Sequence, residues 1–141
     1  MAVGIAVMAA NLGAAAWGTA AWARHTVSVW FWYLLRTAQV VVVVQVALGL
    51  FLLIGESKRA GDGLHYLYGI APLVVALVSE ATRAGAAQRE IELSGVEDVE
   101  AMERREQVLL ARRVVRREMG IMTLGTWLIV TLALRAFTTG G

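Results

Sequence analysis

The chain has 141 residues, 58% of them apolar, and a formal charge of +2. That length allows one domain; the apolar share exceeds the roughly 45–50% of soluble domains, and so small a charge makes no case for nucleic acid as a partner. There is no cysteine, which excludes disulfides, thiol catalysis, iron–sulfur clusters and cysteine-held zinc, and with them the four-helix membrane thiol oxidases.

Charge is segregated along the chain. Residues 1–55 carry two charged side chains, Arg24 and Arg36, whereas residues 82–118 carry sixteen. A chain divided in this way lies in two solvents. A membrane span needs about 20 mostly apolar residues, and residues 2–23 are the first to qualify. No charge precedes them, so they read as a retained helix; a signal peptide would want a basic leading region. Arg24 and His25 end this span. The second is predicted over 28–55, opening on Trp30-Phe31-Trp32-Tyr33, an aromatic run of the kind found at headgroup depth. Arg36 lies just inside it and can snorkel outward. The β-branched run Val40–Val44 would read as a strand in water. In lipid, backbone satisfaction favours helix.

Residues 56–63 form a polar loop with two glycines. The third span is predicted over 64–81 and contains Pro72, which membrane helices tolerate. Residues 82–118 are polar and helix-prone. Ser94 with Glu97 three residues later has the capping-box form, and Gly95 interrupts the run. Two helices, 82–93 and 96–118, are therefore expected, with Val108, Ala111, Val115 and Met119 on an inward face. The fourth span is predicted over 120–137.

Arginine placement sets an orientation. Arg24, Arg36, Arg83, Arg89, Arg112, Arg113, Arg116 and Arg117 fall at one side, and Lys58, Arg59 and Arg135 at the other. The positive-inside rule then places the hairpin in the cytoplasm and both termini outside. Arginine supplies twelve of the thirteen basic residues. With the Ala/Val richness, this composition points to a bacterium and so to its cytoplasmic membrane. The arginines at 112–117 are read through orientation first, and as anionic-headgroup contacts second.

Polar residues inside a span usually have partners or functions. Asn11 and Gln45 each lie about 14–15 Å from the outer end of their spans at 1.5 Å per residue, so a hydrogen-bonded pair near the midplane is expected, with a polar foothold for a quinone or solute as the sharper reading. Arg36 and Glu80 match at the hairpin side, as a salt bridge or a proton relay. Arg135 matches Asp62 and Glu56 at the other side. Ala10, Ala14 and Gly18 form a small-residue stripe at four-residue spacing, which serves close packing within the bundle or contact with a second subunit. His65, Tyr66 and Tyr68 cluster where the outer loop meets the third span. Histidine is the usual haem b ligand and a hydrogen-bond partner for quinones, while the tyrosines also suit interfacial anchoring. His25 belongs to the opposite side, so one chain does not give two histidines to one haem. No phosphate loop, HExxH or Gly-x-Ser-x-Gly is present, which argues against an enzyme.

The stretches Leu34-Leu35-Arg36-Thr37-Ala38-Gln39, Val43-Val44-Gln45-Val46-Ala47-Leu48-Gly49, Leu64-His65-Tyr66-Leu67-Tyr68-Gly69, Arg116-Arg117-Glu118-Met119-Gly120 and Leu132-Ala133-Leu134-Arg135-Ala136 resemble an uncharacterised family of small four-helix bacterial integral membrane proteins. The resemblance covers about two-thirds of the chain and carries over no activity. Small multidrug transporters share the helix number, but their mechanism needs a glutamate in the first helix, and none is present there.

The expectation is an all-α protein: a four-transmembrane-helix bundle with a cytoplasmic helical hairpin between helices 3 and 4, in one membrane domain. Its expected role is that of a non-catalytic accessory or assembly subunit of a larger membrane complex, respiratory complexes among them. A haem or quinone module at His65, Tyr66, Tyr68 and Gln45 is the alternative, and a small transporter or channel the third. The expected partners are the lipid bilayer and another membrane protein or a second copy.

Overall fold

The computed structural model describes residues 2–55, 63–95 and 99–139. Those residues form four α-helices: α1 (Ala2–Ala23), α2 (Val29–Gly55), α3 (Gly63–Leu93) and α4 (Arg104–Thr139). All four are long and apolar enough to cross a membrane. No strand occurs among the described residues, so the fold is an all-α four-helix bundle. The valine run of α2 is helical throughout, because only a helix satisfies every backbone group locally where water is absent.

The helices run up, down, up and down around a ring, with α1 against α2 and α4, and α3 against α4 and, more lightly, α2. The connection from α1 to α2 is set by local chemistry. At the end of α1 the Thr26 N–H bonds to the Ala21 carbonyl and the His25 N–H to the Trp22 carbonyl, both at 3.0 Å. This is the paired pattern of a Schellman cap. It puts His25 at φ 55, a left-handed position that usually belongs to glycine. Gly95, at φ 67, plays the same part after α3.

Two apolar layers fill the bundle. Ala21, Phe31, Leu35, Met119 and Met122 pack towards the end where α1 turns into α2. Val7, Val42 and Ile129 pack towards the other end, flanked by Leu73 and Ala76. Buried Asn11, Ser79 and Thr126 lie between. The aromatic run divides by face. Trp30 and Tyr33 stand exposed, whereas Phe31 is fully buried and Trp32 packs against the core.

The helices approach closely where side chains are small. A Cβ at Gly18 would lie 2.3 Å from Thr123 Oγ1 and 2.6 Å from the Phe31 ring. A Cβ at Gly125 would lie 2.3 Å from Ser79 Oγ. Ala14 and Gly18 of the small-residue stripe are buried inside the bundle, which places the stripe's close packing within this chain. Trp127 of α4 adds a hydrogen bond to Thr19 of α1 at 3.0 Å.

α3 and α4 outrun the bilayer. Their 31 and 36 residues span about 46 and 54 Å at 1.5 Å per residue, against a hydrocarbon core of about 30 Å. The surplus of both forms a helical hairpin at the α1–α2 turn end. Its details depart from the sequence expectation. Ser94 terminates α3, its hydroxyl donating to the Ile91 carbonyl, and Glu97 lies outside the described residues. The return helix begins at Arg104 after a short 3-10 turn, Val99–Ala101, and the Glu103 carbonyl accepts from the N–H groups of Glu106 and Gln107. The inward face also differs: Leu110 is buried while Val108 and Ala111 are exposed. Met119 is buried and Val115 half-buried as expected, but the inward stripe also carries polar Gln107 and Glu118, so apolar periodicity places only part of the face.

Gly18→Ala is expected to lower stability by about 1–3 kcal/mol, the usual cost of overpacking. Gly13→Ala meets nothing within 4 Å and should be neutral or slightly stabilising. Thermal unfolding of both variants in one detergent checks the contrast.

Candidate functional site

The densest polar chemistry lies at the hairpin end of the bundle. Arg36 and Gln39 are one turn apart on α2, and Glu80 and Arg83 one turn apart on α3, so each pair projects from a single helix face. Arg36 donates to Gln39 Oε1 at 2.7 Å and to Glu80 Oε1 at 2.8 Å. Gln39 donates to the same Glu80 oxygen at 2.8 Å. Arg83 Nε takes the other oxygen, Glu80 Oε2, at 2.8 Å and reaches Glu118 of α4 at 3.4 Å. The Arg83 guanidinium also lies over the Trp32 ring, 5.7 Å from its centroid, within cation–π range. The Glu80 carboxylate thereby joins α2 to α3, and Arg83 carries the link on to Glu118 of α4.

Two further contacts extend this cluster along the hairpin. Arg117 pairs with Glu90 across α4 and α3. Arg116 bonds to His25 Nδ1, tying α4 to the α1–α2 turn. A guanidinium only donates, so this imidazole nitrogen is the acceptor of the contact.

Below Glu80 the bundle holds a small cavity of about 10 Å³. Asn11, Gln39, Ser79 and Thr126 supply its polar wall. A cavity of that size admits about one water. Gln39 belongs to both features, lining the cavity and bonding to Glu80.

Arg36 and Glu80 meet as an ion pair. Asn11 and Gln45 do not meet. The Asn11 amide donates to the Val7 carbonyl in its own helix at 2.9 Å, while Gln45 Oε1 is buried with no hydrogen-bond partner among the described residues. Val7 packs on Val42 and Gly18 abuts Phe31, a register that puts Asn11 level with Ala38 and Gln39. Depth measured from the far ends misplaced Gln45, because α2 runs on past the start of α1 by about two turns in that register. The side chains of His65 and Tyr66 lie outside those described. Tyr68 is half-buried on α3, and its carbonyl is the one that Pro72, lacking an N–H, leaves free. Asp62 and Glu56 lie outside the described residues, so the expected clamp with Arg135 does too. Among the described residues no three His, Cys, Asp or Glu side chains gather as a metal site.

Comparison with protein-family models, curated proteins and solved structures finds no significant match to this chain. Its function is therefore argued from its own geometry.

Gln39, Arg83 and Glu118 are the participants that sequence reasoning did not place in the cluster. The first two carried a signal, since each lies three residues beyond its partner on the same helix. Glu118 carried none, because its position depends on the register of α3 against α4. The cluster's chemistry is that of a clamp: both Glu80 oxygens are engaged, by two guanidinium groups and an amide.

Removing the charge should therefore weaken the bundle. Glu80→Gln is expected to cost about 2 kcal/mol, the range of a hydrogen bond to a charged group. In a cycle with Arg83→Gln the two losses should add to less than their sum, with a coupling of about 0.5–3 kcal/mol. Detergent unfolding of the single and double variants measures it.

Proposed function

We propose that this is a multi-pass protein of a bacterial cytoplasmic membrane, and that it serves as a non-catalytic accessory or assembly subunit of a larger membrane complex. The hairpin is its docking arm. Arginine placement supports an arrangement with the hairpin in the cytoplasm and both termini outside.

The observation that carries this reading is the braced hairpin. Leu110 and the pairs Arg117–Glu90 and Arg83–Glu118 lock its two arms together. Near its tip Leu93 stands 75% exposed, and Val108 and Leu109 are 47% and 48% exposed. Leu93 ends α3, and Val108 and Leu109 lie about one turn into α4, among charged neighbours. Exposed apolar groups on a rigid polar arm suit a partner surface. The transporter reading has less support, because a carboxylate held by two arginines is a poor carrier of protons or solutes.

The test is native electrophoresis of the tagged chain, expressed at native level in its own host and extracted in a mild detergent. A discrete species far above the mass of one chain is expected. Leu109→Glu should abolish it while the protein stays in the membrane at normal abundance. Migration of the unaltered chain on its own, or a complex indifferent to both Leu109→Glu and Val108→Glu, would refute the docking role.

A further inference from the structure

A groove of about 390 Å³ runs along α4 at the base of the hairpin. Its walls change character along the helix. Arg113, Arg116 and Arg117 line the part nearer the hairpin, with Glu90 of α3. Ile121 and Leu124 line the part nearer the bundle, with Trp22 of α1. The charged and apolar stretches each cover about one turn of α4, or about 6 Å. The groove therefore crosses the boundary between the two solvents, and a molecule filling it must have an anionic end and an apolar end in that order.

The arginines are held ready for such a ligand. Glu90 fixes Arg117, and His25 Nδ1 fixes Arg116. Each guanidinium has five N–H donors, so both retain donors for a further acceptor. Arg113 is exposed and forms no ion pair among the described residues. Three guanidinium groups stand against one carboxylate, which leaves the groove positive. His25 sits at a left-handed position in the α1–α2 turn, and its ring meets Arg116 of α4. Gly120 forms part of the floor, and the Trp22 indole lies against it: a Cβ there would sit at ordinary contact distance, 3.6 Å, from the ring.

We propose that this groove binds one anionic phospholipid, its phosphodiester between Arg113 and Arg116 and an acyl chain along Ile121 and Leu124 beside Trp22. The assignment rests on the membrane-spanning reading of the helices and is independent of the docking role. Guanidinium matches a phosphate by paired, charge-assisted hydrogen bonds. The apolar wall is what separates a lipid from a free anion, since a soluble phosphate gains nothing from Ile121, Leu124 and Trp22.

The full chain in detergent micelles, titrated with phosphatidylglycerol or phosphatidylcholine and read by native mass spectrometry, tests the site. One phosphatidylglycerol per chain should be retained, at least tenfold in preference to phosphatidylcholine. Arg113→Gln alone breaks no ion pair among the described residues and should weaken retention about threefold. Arg113→Gln with Arg116→Gln should weaken it at least tenfold. Arg104→Gln with Arg105→Gln removes the same charge from the start of α4 and should leave retention unchanged. Equal loss in the two double variants would reduce the effect to general charge and overturn the site. So would equal retention of the two lipids, or displacement of phosphatidylglycerol by millimolar inorganic phosphate, which would make the groove a free-anion site. Circular dichroism of each variant establishes that the helices are intact, and a lipid result is read only against that signal. Loss of lipid binding leaves a native complex untouched, so failure here is distinct from failure of the docking role.

Discussion

In a bilayer the apolar faces of two helices gain little by leaving lipid for each other, so close contact and polar pairing hold a bundle together. In this protein both converge on α4. Gly18 of α1 lets Thr123 and Phe31 come within the space a side chain would occupy, and Gly125 of α4 does the same for Ser79 of α3. The two contacts lie on opposite neighbours of α4 and fix its depth against both. From that depth follow the level of Glu118 beside Arg83, of Arg117 beside Glu90 and of Arg116 beside His25. The charged hairpin is thus set by packing inside the membrane domain, several turns away.

Polar groups then act as ties between helices that packing has already placed. Glu80 gathers Arg36, Gln39 and Arg83, which matters most for α2, the helix that touches α3 only lightly. Arg36 is one turn inside the aromatic run, so its charge reaches the headgroup level while bonding inward. Trp32 supports the same cluster through its ring, which explains why one residue of that run faces the bundle while Trp30 and Tyr33 face out. Gln45 Oε1, the buried side-chain oxygen without a partner among the described residues, sits on the stretch of α2 beyond these ties.

The fold was legible in the sequence because length and apolar content decide what crosses a bilayer, and because the segregation of charge sets the hairpin apart from the spans. The Arg36–Glu80 contact was legible for a related reason: both residues sit near the same end of consecutive antiparallel helices. Asn11 and Gln45 were not, because their depths were counted from helix ends that do not lie level. A tight turn such as the one at His25 sets the register, and counting from that turn would have placed Gln39 beside Asn11. The hairpin face was read in part, Met119 and Val115 inward but Val108 and Ala111 not, because Gln107 and Glu118 interrupt its apolar stripe, and the start of α4 was misread because Ser94 has the same residue type whether it opens a helix or closes one. Headgroup contact by the arginines at 112–117 was legible as a second reading, but the groove was not, since it needs Trp22 and Glu90 from two other helices.

The docking arm is tested most directly by site-specific photocrosslinking in the native host, with a benzophenone side chain placed at Val108 on the hairpin and, for contrast, at Leu52 on the outer face of α2. One discrete protein adduct is predicted from position 108, and only lipid or diffuse products from position 52. A protein adduct from position 52 with none from position 108 would contradict the docking role, because the partner would then be met within the membrane and the hairpin would not be the arm that holds it.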